Sequence, residues 1–147
     1  MNKIPKWLII SFLLVAFIGF TDAAYLATRY YRGIPIGCIV SEGCDRVAVS
    51  QYATIADVPV ALIGAVYYFT ILLVIALYFW HRKEKKLYCL ARFTIVGFLA
   101  SLWFVYLQLF VIKTICFYCM VSAASSTILF ALGLVILYKK QRSTLKM

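Results

Sequence analysis

Four runs of about 20 apolar residues divide this chain, and each ends in a small basic cluster or a short polar turn. A helix of that length, rising 1.5 Å per residue, matches the ~30 Å hydrocarbon thickness of a bilayer. The runs cover about residues 7–28, 59–80, 90–112 and 115–138. With 65% of its residues hydrophobic and a mean hydropathy of +0.96, the chain has more apolar surface than one small core hides, so lipid is its solvent. The expected fold class is an all-α membrane protein: a four-transmembrane-helix bundle with a long external loop between helices 1 and 2. One domain is expected over 1–147.

The net charge of +10 does not mark a nucleic-acid binder, because the charges cluster at the ends of the apolar runs. Lys3, Lys6, Arg82, Lys83, Lys85, Lys86, Lys139, Lys140, Arg142 and Lys146 share one side with both termini, and Arg92 joins them. The other side carries Arg29, Arg32, Arg46 and Lys113, with the acidic Asp22, Glu42, Asp45 and Asp57. The positive-inside rule makes the first side cytoplasmic. The expectation is a multi-pass plasma (inner) membrane protein with both termini inside. The first run also resembles a signal peptide, with its basic start and Thr21-Asp22-Ala23-Ala24. A retained helix is preferred, since apolar character resumes through Tyr25, Leu26 and Ala27, and Asp22 fits poorly beside a cleavage site.

This topology puts four cysteines on the external, oxidising side. Cys116 and Cys119 form a Cys-x-x-Cys at the start of the last helix, and Cys38 and Cys44 lie six apart in the Gly- and Pro-containing loop 29–57. Two adjacent dithiols point to a relay by thiol–disulfide exchange. A helix N-terminus stabilises a thiolate at Cys116, and Lys113 adds positive charge nearby. Cys119, one turn deeper, is placed for a lipid-soluble acceptor such as a membrane quinone. The alternatives are disulfides that only brace the loop, and a four-cysteine metal site. Zinc bound with every cysteine reduced would establish the latter. Cys89, on the cytoplasmic side, reads as a small apolar residue without a role.

Other residues carry weaker signals. Gln108, late in the third run, is expected either to donate to a quinone carbonyl or to bond between helices. Tyr67 or Tyr68 could face the quinone, but an aromatic-belt position is the commoner reading. Trp103 and Tyr106 read as packing or belt residues, and His81 as solvated. Asp22 is expected to pair with Arg29 or Arg46, with proton delivery as the functional alternative. No carboxylate lies mid-span, which argues against a small multidrug-type transporter.

The pattern Cys38-x5-Cys44-Asp45-Arg46-Val47-x-x-Ser50, then Pro59-Val60-Ala61-x-x-Gly64, then Cys116-Phe117-Tyr118-Cys119 resembles the vitamin K epoxide reductase family, and most of all its bacterial and archaeal homologues. The likeness spans about residues 7–138. It implies a four-helix bundle enclosing a quinone, with Cys119 beside the ring, Cys116 exchanging with a loop cysteine (Cys44 is preferred), and Ser50 helping to hold the loop over the pocket. The loop cysteines would take electrons from an external thioredoxin-fold protein, so that disulfides form in exported proteins. Two departures matter. The chain ends at Met147 without a fused thioredoxin-like domain, so the partner is expected to be a separate protein. Ala123 stands where the animal enzymes have a tyrosine contacting vitamin K, which favours ubiquinone or menaquinone as acceptor over an epoxide.

Overall fold

The computed structural model describes residues 4–39 and 42–146; Lys3 lies outside them. Four helices are long and apolar enough to cross a membrane: α1 (Lys6–Arg32), α3 (Val60–His81), α4 (Glu84–Tyr106) and α5 (Phe117–Leu145). A short helix, α2 (Gly43–Ala48), and a two-stranded ribbon, β1 (Thr54–Ile55) with β2 (Val58–Pro59), lie between α1 and α3. The all-α, four-span expectation is met.

The long helices form a closed ring of neighbours: α1 beside α3, α3 beside α4, α4 beside α5, and α5 beside α1. Small residues make the crossings. A Cβ on Gly19 would overlap the ring of Tyr68, so α1 and α3 meet there only because position 19 is bare. Where α4 crosses α5, a Cβ on Gly133 would stand 3.2 Å from the Ala91 carbonyl oxygen. Below these crossings Leu8, Phe12, Ile71, Ile75, Leu129 and Ile136 fill the interior, each 2% exposed or less. Outward-facing side chains such as Trp7, Phe17, Leu99 and Trp103 leave a greasy circumference suited to lipid.

Boundaries differ from the sequence expectation at four places, one of them the end of α5, which runs on to Leu145 rather than stopping at about residue 138. α1 runs a turn further, to Arg32, before Gly33 takes a left-handed conformation (φ 62) and closes it with N–H bonds from Gly33 to Tyr30 and from Ile34 to Arg29. α4 starts at Glu84 rather than about residue 90, so the basic connection shrinks to Arg82 and Lys83. Glu, Lys and Leu are good helix formers, and an acidic residue in the first turn suits the helix dipole. The connection at Lys113 is not a bare turn. α4 passes into a π-helical turn over Leu107–Val111, and a segment without regular structure, with Lys113 at φ 54, then leads to Cys116.

Within 29–57, β1 and β2 pair antiparallel, Thr54 with Pro59 and Ile55 with Val58. The two-residue turn holds Ala56 and Asp57 at positive φ, the geometry of a tight hairpin. It ends at Pro59, whose extended backbone (φ −64, ψ 133) caps α3.

Candidate functional site: a sulfur relay above an apolar pocket

Cys116 is the N-cap of α5, and its sulfur accepts the backbone N–H of Cys119 at 3.5 Å. The Cys-x-x-Cys spacing makes this possible, since an N-cap side chain reaches the N–H three residues on. The approach to it is fixed by Gln108, on the π-turn. Its side-chain Oε1 accepts the Cys116 N–H at 3.0 Å, and its backbone carbonyl accepts the Thr114 N–H, also at 3.0 Å. A π-turn widens the helix by one residue and re-aims its side chains. Here it turns the polar Gln108 inward, where it is 3% exposed. Of the two sequence readings of Gln108, the inter-helix bond is present, and the side chain also lines the pocket described below.

The loop is drawn onto this point by polar ties. Asp45 Oδ1 accepts the Ile36 N–H at 2.7 Å, and the Tyr25 hydroxyl donates to the Ile36 carbonyl at 3.2 Å. Tyr25 in turn accepts from Arg29 Nε and packs its ring 5.2 Å from that of Tyr118. α2 is thereby held against α5, with Cys44 buried at 1% exposure. Cys44 is disulfide-bonded to Cys38 across a Cα separation of 5.8 Å, while Cys116 and Cys119 are free thiols.

The Cys116 sulfur lies 3.3 Å from that of Cys44. The sulfurs of Cys38, Cys44 and Cys116 all fall within 4.8 Å of one another. Three thiolates so placed would suit a soft metal. A disulfide between two of them leaves one thiol facing one disulfide, the ground state for exchange. Hydrogen bonding from the Cys119 side chain lowers the Cys116 thiol below the ordinary cysteine range; N–H groups of Cys119 and Tyr118 assist, and burial and the Asp22 charge oppose. Lys113 is exposed and is not among the groups that act on it.

Directly beneath the sulfurs is a cavity of about 270 Å³ between α1, α3, α4, α5 and the loop. Cys44, Cys116 and Cys119 all reach it; Cys38 stays outside, half-buried. Ser50, Tyr67, Gln108 and Ala123 line it as well. The Ser50 hydroxyl donates to Val47 at 2.8 Å, closing the turn that follows α2.

Two sequence readings are corrected here. Tyr67 and Tyr68 are not belt residues. Tyr68 is 2% exposed and donates to the Ser122 carbonyl at 2.7 Å, and the Tyr67 hydroxyl is buried at the pocket. Their rings turn inward because Gly19 and Gly97 leave room for them. Among the described residues Asp22 pairs with neither Arg29, whose Nε is taken by Tyr25, nor Arg46, and its Oδ2 is buried there without a hydrogen-bond partner. Trp103 and Tyr106 do face outward, and Cys89 is exposed away from the site. Sequence reading missed Ser122 and Ser126, which also line the pocket. Their spacing from Cys119, three and seven residues on, was the available signal.

The model of the vitamin K epoxide reductase family matches residues 10–134. The chain belongs to the vitamin K epoxide reductase family. A search of curated proteins gave no match. Membership of the vitamin K epoxide reductase family makes the chain a membrane thiol oxidoreductase, a redox enzyme acting on disulfides. The family in general uses a quinone as electron carrier.

Proposed function

We propose that this protein reoxidises a separate thioredoxin-fold partner on the external face of the inner membrane and passes the electrons to ubiquinone or menaquinone. The observation that carries this reading is the 3.3 Å approach of Cys116 to Cys44 above an apolar cavity that Cys119 lines. Cys38 is the accessible member of the loop pair. A partner thiolate attacks Cys38, Cys44 leaves as thiolate, and the second partner thiol displaces Cys38, which leaves the partner oxidised and the loop as a dithiol. Cys44 then attacks Cys116 of an oxidised Cys116–Cys119 pair and releases Cys119. Cys38 attacks Cys44, restores the loop disulfide and frees Cys116. This is the state described above, with the loop oxidised and the helix pair reduced.

The quinone, when bound, takes two electrons and two protons as Cys116 and Cys119 close their disulfide. The pocket fits the ring of such a molecule. Its walls are largely apolar, its volume is near the lower end of ligand sites, and a dithiol stands at one end. Ala123 lines it with a small side chain.

The test uses the purified protein in lipid nanodiscs with ubiquinone or menaquinone and a reduced thioredoxin-fold dithiol protein. The wild type is expected to oxidise that protein catalytically, and Cys119→Ala to stop after the single equivalent held in the loop disulfide. Turnover by Cys119→Ala at the wild-type rate would overturn the mechanism.

A further inference from the structure

Ser126 stands apart from its neighbours on α5, a difference that takes its meaning from the quinone reading above. Serine and threonine side chains in helices usually donate to the carbonyl four residues back. Ser125 does so to Val121 at 2.9 Å, and Thr127 does so to Ala123 at 2.8 Å. Ser126, between them, does not. It is 2% exposed, it lines the pocket, and its Oγ has no hydrogen-bond partner among the described residues. A buried polar atom left unpaired is costly.

The Tyr67 hydroxyl, from α3, is the second such atom. It too is buried, with no hydrogen bond of good geometry among the described residues, and Ser126 is close enough to act on it. Gly97 on α4 makes its position possible, because a Cβ there would overlap the phenol. Three helices therefore cooperate to hold two neutral hydroxyls at one place in a largely apolar pocket. The neighbouring Tyr68 hydroxyl, by contrast, donates to the Ser122 carbonyl, with the Ser122 hydroxyl 3.3 Å away.

The place has a definite relation to the redox sulfur. Ser126 is seven residues beyond Cys119 on the same helix, so it lies about 10 Å deeper along the axis. That is about the span of a para-quinone ring with one contact at each carbonyl. We propose that Tyr67 and Ser126 form the anchor for the far carbonyl oxygen of a para-quinone whose near end lies at Cys119, with Gly97 as the residue that seats Tyr67. The chemistry suits both oxidation states. A quinone carbonyl accepts from both hydroxyls. In the reduced product the same oxygen carries a proton, donates to one hydroxyl and accepts from the other. The anchor carries no charge, so no ion is desolvated in the pocket.

Fully methylated quinones test this, since their ring carbons are blocked against thiol addition. Duroquinone, a para-quinone, has a far carbonyl; tetramethyl-1,2-benzoquinone has both oxygens at one end. Binding is read by fluorescence titration in a Cys119→Ala background, which does not turn over, and KM is read in the background with all cysteines present. Tyr67→Phe and Ser126→Ala are each expected to weaken duroquinone binding, and to raise its KM, by about 5- to 10-fold, the value of one hydrogen bond. Neither should change the ortho isomer. The double variant should lose less than the product of the two, because both hydroxyls serve one oxygen. Gly97→Ala should reproduce the Tyr67→Phe pattern. Exchange between Cys116 and the loop disulfide, measured without quinone, should stay at the wild-type rate in all of them. Equal weakening of both isomers, or no weakening of duroquinone, would overturn the anchor and leave the quinone reading standing. Failure of the unsubstituted proteins to bind or reduce either isomer would overturn the quinone reading, and the anchor with it.

Discussion

At the end of the bundle where α5 carries Leu129 and Ile136, the four long helices meet through Leu8, Phe12, Ile71, Ile75 and Leu90, and the space between them is filled. At the Cys116 end the same helices stand apart around about 270 Å³, roofed by a loop held through Asp45 and Tyr25, while Gln108 fixes the approach to Cys116. The closed end gains from dispersion contacts, which depend on close packing. The open end forgoes many of them and is secured by a few hydrogen bonds and one disulfide. The bundle is thus a stable stem that carries a chamber. Substitutions at the stem should change stability and leave the chemistry intact, and those at the chamber should do the reverse.

The largest effect is expected at the chamber. Cys116→Ser removes the sulfur that faces Cys44 and should lower quinone-coupled oxidation of a dithiol protein by more than about 1000-fold, given that serine is a poor nucleophile at its ordinary pKa. Thermal unfolding should be little changed, and an equal collapse of both would break the division. In the stem, Leu129→Ala leaves a cavity at a site with 0% exposure and should cost about 2–4 kcal/mol. Reversible unfolding in mixed micelles measures this, and activity per folded molecule should persist.

Gln108→Leu sits on the boundary. It removes the acceptor of the Cys116 N–H, so it should cost about 1–3 kcal/mol and also slow exchange between Cys116 and Cys44. Loss of stability without slower exchange would make Gln108 a stem residue. Tyr68→Phe gives up the bond to the Ser122 carbonyl and should cost about 1 kcal/mol. The smallest effect concerns pH. Hydrogen bonding from Cys119 holds the Cys116 thiol below the ordinary range, so the thiolate forms at lower pH than in a free cysteine. Exchange by Cys116 should therefore level off at lower pH in the wild type than in Cys119→Ala, as followed by alkylation rate against pH. Coincident profiles would remove Cys119 as the cause.

The stem was legible in the sequence because hydropathy is additive along a helix. Four runs and their basic ends gave the spans, and two cysteine pairs gave the chemistry of the chamber. What escaped depends on which face of a helix turns inward. Tyr67 and Tyr68 read as belt residues from position alone; Gly19 and Gly97, far away in sequence, decide that their rings point inside. Asp22 read as half of an ion pair, but Arg29 lies one turn above Tyr25 on the same face of α1 and bonds there. The π-turn at Leu107–Val111 has no composition of its own, since those residues would equally continue an α-helix. Its effect on Gln108 could not be read without the fold.

The central claim is that electrons cross between the two pairs through Cys44 and Cys116. Cys38→Ser removes the thiol that would resolve that bond. After reduction and oxidation by quinone in nanodiscs, peptide mapping of this variant should find Cys44 linked to Cys116 and Cys119 free. A Cys116–Cys119 disulfide with Cys44 left as a thiol, or a Cys44–Cys119 link, would contradict the account.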